Sequence, residues 1–397
     1  MKASRVWIFA VVAVLGLLLL APASEAGKGF DDKEVRVGQF GPLTGPAAPW
    51  GAVLRGSALR FQLVNDEGGI HGRKIKYFMR DDQYNPAQTV TVIKELVENQ
   101  DIFAIVGGVA GAGSIAAKDY LTKNKIIWIG PTASARELVF PQTPYLFCLT
   151  PLYEDEASIM TKYLVETAKM KKIALMYQND SYGQAGLAGM RQRLAKYKMK
   201  AVAEIPVEPT ERDLASHIMK IKNAGPEAVI LWVAPTTAVI SLKTAATIGF
   251  KPQWAGGTPL ADYPMMHKIS GGLWEGVINT SYVEPPDSSL PVVVKYREAQ
   301  KKYMPEERWG LFFMGGLLVA DPLIDALKKA GKKLSLEAVL KQLNSAKNYK
   351  TIGPTINWSK NQHQGVDSAM IWKCGPGGKT MVMQGWTQNE LATWKKK

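Results

Sequence analysis

Short β-branched runs alternate along this chain with longer segments whose apolar residues recur at helical spacing. Val35-Arg36-Val37-Gly38-Gln39-Phe40 reads as a strand. After a loop rich in Gly and Pro, Leu54, Ala58, Phe61 and Val64 fall on one face of a helix that starts near Gly51 and that Gly68-Gly69 stops. The pattern then predicts a strand from Lys74 to Arg80, a helix from Pro86 to Asn99, a strand from Phe103 to Val106, a helix from Ser114 to Lys123 and a strand from Ile126 to Ile129. A second series follows Tyr145-Leu146-Phe147-Cys148. It comprises helix Glu154 to Lys169, strand Ile173 to Tyr177, helix Gly183 to Tyr197, strand Ala201 to Ile205, helix Leu214 to Asn223, strand Ala228 to Val233 and helix Thr237 to Ile248. Such alternation predicts parallel strands with helices on both faces. Two series of similar size predict two α/β domains rather than one sheet. Loose connections around Tyr282 to Asp287 and Tyr349 to Pro354 flank a strongly helical region, Pro291 to Leu343.

Composition bounds this picture. A chain of 397 residues that is 46% hydrophobic cannot be a disordered polymer, and two cysteines exclude a disulfide-framework miniprotein. Lys2 and Arg5 precede an apolar run from Val6 to Leu20, and Ser24 and Ala26 supply the small residues of a cleavage site, so residues 1–26 read as a secretory signal. The run is shorter than the roughly 20 residues of a spanning helix, and Pro22 ends it. Export to a bacterial periplasm is therefore expected. Loss of Lys2, Arg5 and Glu25 takes the formal charge from +14 to +13, and export removes nucleic acid as the partner that explains it. Cys148 and Cys374 could pair in that compartment or remain free; their separation in sequence leaves both open.

Candidate chemistry is sparse. Gly111-Ala112-Gly113-Ser114-Ile115-Ala116 follows a strand and opens a helix, which lets backbone N–H groups approach an anion closely. A dinucleotide would need an acid closing the next strand, where Gly130-Pro131-Thr132 stands instead. The sequence holds no Gly-x-Ser-x-Gly elbow, His-Glu-x-x-His pair or phosphate loop, and its four histidines lie far apart. Asp81-Asp82 after a strand reads as loop capping rather than a metal site. No catalytic residue, metal or cofactor is expected. Trp50, between Pro49 and Gly51, and Tyr182, in Asn179-Asp180-Ser181-Tyr182-Gly183, occupy corresponding βα loops of the two series. Both loops lie at the carboxyl edge of a sheet, where ligands bind; packing on their own loops is the alternative.

Val37 to Gly45 with Trp50-Gly51, Val64 to Ile75, Arg80 to Pro86, Ala104 to Gly108, Asn179 to Gly183 and Ile352 to Trp358, taken in order, resemble the type I periplasmic solute-binding proteins of branched-chain amino acid ABC importers. The resemblance implies a two-lobed α/β protein, each lobe a mostly parallel sheet, with three hinge crossings. Lobe 1 would be 33–148 with 280–353, and lobe 2 149–279 with 354–394. It implies a monomer that closes on a small carboxylate or amino acid and docks on a membrane permease. The carboxylate would meet the loop from Gly107 to Ser114, with Gly108 and Gly111 in it. Gly111 stands where a hydroxyl often does, and Ser114 is the substitute. Ala133 and Ser134 match the next loop, and Trp50 and Tyr182 the aromatic contacts. Where amino-acid binders place an acid for the ligand's ammonium, this chain has Thr258, with Asp262 four residues on. Either Asp262 reaches in or the ligand has no amine, and Trp50, Trp232, Phe312 and Phe313 would suit a flat apolar body. A sensor subunit on the same fold and an exported oxidoreductase are the competing classes.

Overall fold

The computed structural model describes residues 28–45 and 47–396. The expected signal segment, residues 1–26, lies outside the described residues. The first half of the chain forms β1 (Glu34–Gly41), α1 (Ala52–Asp66), β2 (Lys74–Asp81), α2 (Pro86–Glu98), β3 (Ala104–Val106), α3 (Gly111–Lys123), β4 (Ile127–Ile129), the short α4 (Arg136–Val139) and β5 (Leu146–Phe147). The second series is α5 (Tyr153–Lys162), β6 (Ile173–Gln178), α6 (Ser181–Lys196), β7 (Ala203–Val207), α7 (Ala215–Asn223), β8 (Ala228–Trp232), α8 (Pro235–Thr247), β9 (Gln253–Gly256), α9 (Tyr263–Ser270) and β10 (Ile278–Ser281). Three helices follow, α10 (Pro291–Tyr303), α11 (Leu311–Ala330) and α12 (Leu336–Leu343), and then β11 (Ser368–Cys374) and β12 (Thr380–Gln388).

The strands make two sheets. One is parallel throughout, in the order β2-β1-β3-β4-β5. The other runs β12-β11-β10-β9-β8-β6-β7 and is parallel except at one edge, where β10, β11 and β12 pair antiparallel. The central strands are buried along their whole length, which is why they read as unbroken apolar runs. The β11–β12 hairpin has no such signature, because β12 leaves Met381, Val382 and Met383 exposed at the sheet edge.

The helical region between the two loose connections belongs with the first sheet. α11 packs on α1 so closely that a Cβ on Gly56 would stand 1.9 Å from the Phe313 carbonyl oxygen, and one on Gly316 would stand 2.0 Å from that of Val53. Only glycines let two helix backbones meet in this way. The chain therefore passes between the two sheets three times, and the passing segments run side by side. The Cys148 N–H donates to the His363 carbonyl at 2.9 Å, the Gly365 N–H to the Cys148 carbonyl at 3.0 Å, and the Glu284 N–H to the Ile352 carbonyl at 2.8 Å. His363 is buried here against Phe147, its ring nitrogens 2.9 Å from the Leu146 carbonyl and from Asn344 Oδ1. Burial lowers its pKa to about 4, so the crossing carries a neutral imidazole at neutral pH. Cys148 and Cys374 are both buried and free.

Two helix boundaries differ from the sequence reading by three residues or more. α3 begins at Gly111, three residues before the expected Ser114, since the two glycines and Ala112 continue the helical turn. The helix expected through Lys169 ends at Lys162 and continues as a π-helical turn, Tyr163–Thr167. Among the described residues, no helix is long and apolar enough to cross a membrane.

Candidate functional site

The carboxyl edges of the two sheets face each other across a small cavity of about 40 Å³. From the first sheet's loops it is lined by Trp50, Val53, Tyr84, Val109, Ala110, Gly111, Thr132 and Ala133. Tyr153 at the start of α5, Tyr182 at the start of α6 and Pro259 after β9 close it from the other side, and Tyr282 and Phe312 complete the wall. No lining side chain is a carboxylate, an amine, a guanidinium or an imidazole.

Two hydrogen bonds span the cavity mouth. Trp50 Nε1 donates to the Pro259 carbonyl at 2.9 Å, and the Tyr153 hydroxyl donates to the Thr132 carbonyl at 2.7 Å. The Trp50 and Tyr84 rings meet edge to face at 5.3 Å, and those of Tyr153 and Tyr182 at 4.8 Å. Both pairs prefer this geometry because a ring's positive edge meets its partner's negative face. Gln83 and Tyr84 have φ of 53° and 59°, a left-handed backbone uncommon outside glycine. Asp81 Oδ1 accepts from the Gln83 N–H at 2.9 Å, and Asp82 Oδ1 accepts from the Tyr84 N–H at 3.0 Å, which holds the turn and presents the Tyr84 ring. The Thr89 hydroxyl also donates to Asp82, and burial pushes this carboxyl up to about 6. The paired acids thus shape the loop.

Hydrogen-bond donors reach the cavity from both sides. α3 starts after Ala110, whose backbone is extended and whose side chain cannot cap, and no acid lies in the first turn. A bare helix N-terminus carries roughly half a positive charge and unclaimed N–H groups, so it attracts anions. Tyr182 lines the same cavity from the other side, and its hydroxyl is buried without a hydrogen-bond partner among the described residues. Burial pushes its pKa well above the ordinary phenol value, so it remains a neutral donor. An oxyanion between these groups would satisfy both.

Of the residues singled out in sequence, the fold brings Trp50, Gly111, Ala133 and Tyr182 to the cavity. Gly108 lies beneath it at φ 101°, its carbonyl accepting from the Thr132 hydroxyl at 2.9 Å. Ser114 is buried in α3 and is not part of the lining, its hydroxyl without a partner among the described residues. The Ser134 hydroxyl pairs with that of Thr150. Thr258 is buried, its N–H donating to Glu156 Oε1. Asp262 is also turned away from the cavity. Its Oδ1 accepts from the Met265 N–H at 3.3 Å and its Oδ2 from the Phe312 N–H at 3.0 Å, so it caps α9 and ties the first turn of α11 to it. Trp232 lies under Tyr182, ring centroids 5.8 Å apart, and Phe313 is core; of the apolar candidates Phe312 joins Trp50 in the lining. Sequence reasoning missed Tyr84, Thr132, Tyr153 and Tyr282. Tyr84 was findable by the rule that picked Trp50, since it also sits in a loop after a strand. Tyr153 and Tyr282 lie next to chain crossings, which no local pattern marks.

A sequence profile described as periplasmic binding protein matches residues 34–379. The Leu/Ile/Val-binding protein homolog 3 of Brucella melitensis is 24% identical over 346 residues, 87% of this chain and 92% of the relative. A branched-chain amino acid ABC transporter structure from Thermus thermophilus with bound valine superposes with a TM-score of 0.82 at 21% identity, covering 90% of this chain and 98% of that one. A fatty acid ABC transporter substrate-binding protein from Thermomonospora curvata does so with a TM-score of 0.83 at 23% identity, covering 93% and 96%. One backbone thus carries proteins described by chemically different solutes.

Proposed function

The chain belongs to the periplasmic binding protein family, and from that premise we propose that it is the extracytoplasmic solute-binding component of an ABC importer. It captures a small carboxylate-containing solute of the branched-chain amino acid type between two lobes and presents it to a membrane permease, as a monomer. The lobes are 33–148 with 280–353 and 149–279 with 354–394. The packing of α11 on α1 supports counting the late helices with the first sheet.

The observation that carries this reading is the bare N-terminus of α3 opposite the unpartnered Tyr182 hydroxyl, one donor set from each side of the cavity. A carboxylate between them is bound by both lobes only when they are closed. That differential shifts the open and closed populations, and no bond is made or broken. Trp50, Val53, Tyr84 and Phe312 give the solute's body an apolar enclosure. The extracytoplasmic location follows from the family, and the reading of residues 1–26 agrees with it.

A second reading, a carboxylate with no amine, is favoured by one observation: no acid lines the cavity, and Asp262 is committed to two helix ends. A thermal-shift screen of the purified protein followed by calorimetry tests the carboxylate claim. Amino acids or organic acids should raise the melting temperature. If amides, urea or sugars do so and no carboxylate does, the claim fails. Transport rather than sensing is tested by deleting the gene and measuring uptake of the solute so identified, which should fall.

A further inference from the structure

α11 runs for 20 residues, and nothing in its own first turn caps it: Gly310 at the N-cap is extended and has no side chain, and no acid follows in that turn. Such an end carries unclaimed N–H groups and roughly half a positive charge. It is met by Asp262, from the segment after β9. Oδ2 of this acid accepts from the Phe312 N–H at 3.0 Å, and the residue is 4% exposed. A Cβ on Gly310 would stand 2.5 Å from that oxygen and 2.7 Å from Oδ1, so the carboxylate reaches the helix end only because residue 310 is a glycine. Beside this contact Arg308 Nη1 donates to the Pro264 carbonyl at 2.7 Å.

The partners belong to different bodies. α11 packs on α1, and the stretch before it is fixed to the same body by the ion pair of Arg55 with Glu307 at 2.6 Å. Gln300 Nε2 holds that stretch further, donating to the Met304 and Glu307 carbonyls at 2.7 and 2.6 Å. Asp262 leads into α9 and follows β9 of the second sheet, and its Oδ1 accepts from the Met265 N–H of α9 at 3.3 Å. Rotation of the two bodies away from each other leaves the bond within α9 intact and breaks the bond to Phe312. The contact sits beside the solute cavity, because Phe312 and Pro259 both line it, yet Asp262 itself does not.

We infer that Asp262 is a closure latch, a helix cap that one lobe supplies to the other and that stabilises the closed form without touching the solute. The inference rests on the two-lobe reading above and is independent of the solute's head group. Residues that touch a ligand discriminate among ligands. A residue that acts only on the open and closed populations changes every affinity by one common factor. Asp262 is therefore a positioning residue for capture, and Gly310 on the opposite lobe is the space it needs.

The experiment compares wild type, Asp262→Ala, Gly310→Ala and the double variant by calorimetry with L-leucine, 4-methylpentanoate, 3-methylbutanamide and D-glucose, and by small-angle scattering without ligand. Residue 310 has φ of −170°, which alanine adopts freely, so the open form of Gly310→Ala is unstrained. Each single variant should weaken every probe that wild type binds by about tenfold, to the same extent for each, and the radius of gyration of the ligand-free protein should rise. The double variant should lose little more than either single one, since both remove the same contact. Unchanged affinities in both single variants overturn the inference, and so does a loss confined to one class of probe or a double variant in which the two losses add in full. A lowered melting temperature with unchanged affinity means that the carboxylate only stabilises the fold, which also overturns it. Should Asp262→Ala fail to fold, Gly310→Ala decides, because it leaves the acid and its bond within α9 in place. If only the amide or the sugar binds and both variants weaken it, the carboxylate reading falls and the latch stands. If no probe binds, the scattering decides, and an unchanged radius in both variants overturns the latch.

Discussion

Two helices begin on opposite sides of the cavity and close their first turns differently. α6 starts after Asp180, whose Oδ1 accepts from the Gly183 N–H at 3.1 Å, so one of its N-terminal donors is met by a side-chain cap. α3 starts after Ala110 and has neither a capping side chain nor an acid in its first turn. The two ends are close: a Cβ on Gly111 would stand 3.7 Å from Ser181 Oγ and 3.9 Å from the Tyr182 Cβ. A capped N-terminus is finished structure, whereas an uncapped one facing a cavity is an unfilled binding capacity. The lobe that lacks the cap is where a ligand anion gains most, and the lobe that has it contributes a phenol instead.

The sharpest way to break this contrast is to give α3 the cap it lacks. Ala110→Asp, at an extended position that suits an N-cap, should stabilise the fold by about 1 kcal/mol while weakening carboxylate binding by about 100-fold, because the new carboxylate occupies the ligand's place. Thermal melting read beside calorimetry gives both signs; a variant that binds as wild type does removes α3 from the site. On the opposite wall, Tyr182→Phe removes only the buried hydroxyl. It should cost carboxylate affinity about tenfold, near the lower range for a hydrogen bond to a charged group, with the melting temperature of the empty protein nearly unchanged.

Trp50→Phe keeps an apolar ring but deletes the bond to the Pro259 carbonyl across the cavity mouth. About 1 kcal/mol of closed-state stabilisation should be lost, seen as a roughly fivefold weaker affinity for every ligand alike, whatever its head group. The smallest effect on binding is expected from Asp180→Ala at the capped helix. Stability should fall by about 1 kcal/mol while affinity changes less than threefold. A larger affinity loss here than in Tyr182→Phe would reverse the assignment of the two helix ends.

The alternation of strands and helices was readable to within a few residues through Ile248, because central parallel strands must be apolar on both faces and covering helices must be apolar on one. The β11–β12 hairpin was not readable, since an exposed edge strand has no such constraint. Within the site, Trp50 and Tyr182 were legible as loop residues at strand ends and Gly111 in a glycine-rich helix start, while Ala133 came through the family resemblance alone. Asp262 was not, because an acid before a helix can face a ligand or cap the helix, and the sequence of either is the same. Here the N–H groups of Met265 and Phe312 claim it.

The linear sequence by itself determined the local periods, the glycines that permit α1 and α11 to touch, and the lack of any acid from Gly107 to Ser114. These are properties of single residues and their near neighbours, where backbone conformation and side-chain chemistry suffice. Only the tertiary structure decided that α5 brings the Glu156 carboxylate to the Thr258 N–H, residues that are 102 positions apart. A buried charge is controlled by whatever surrounds it in three dimensions, and that surrounding is assembled from segments that no local pattern connects.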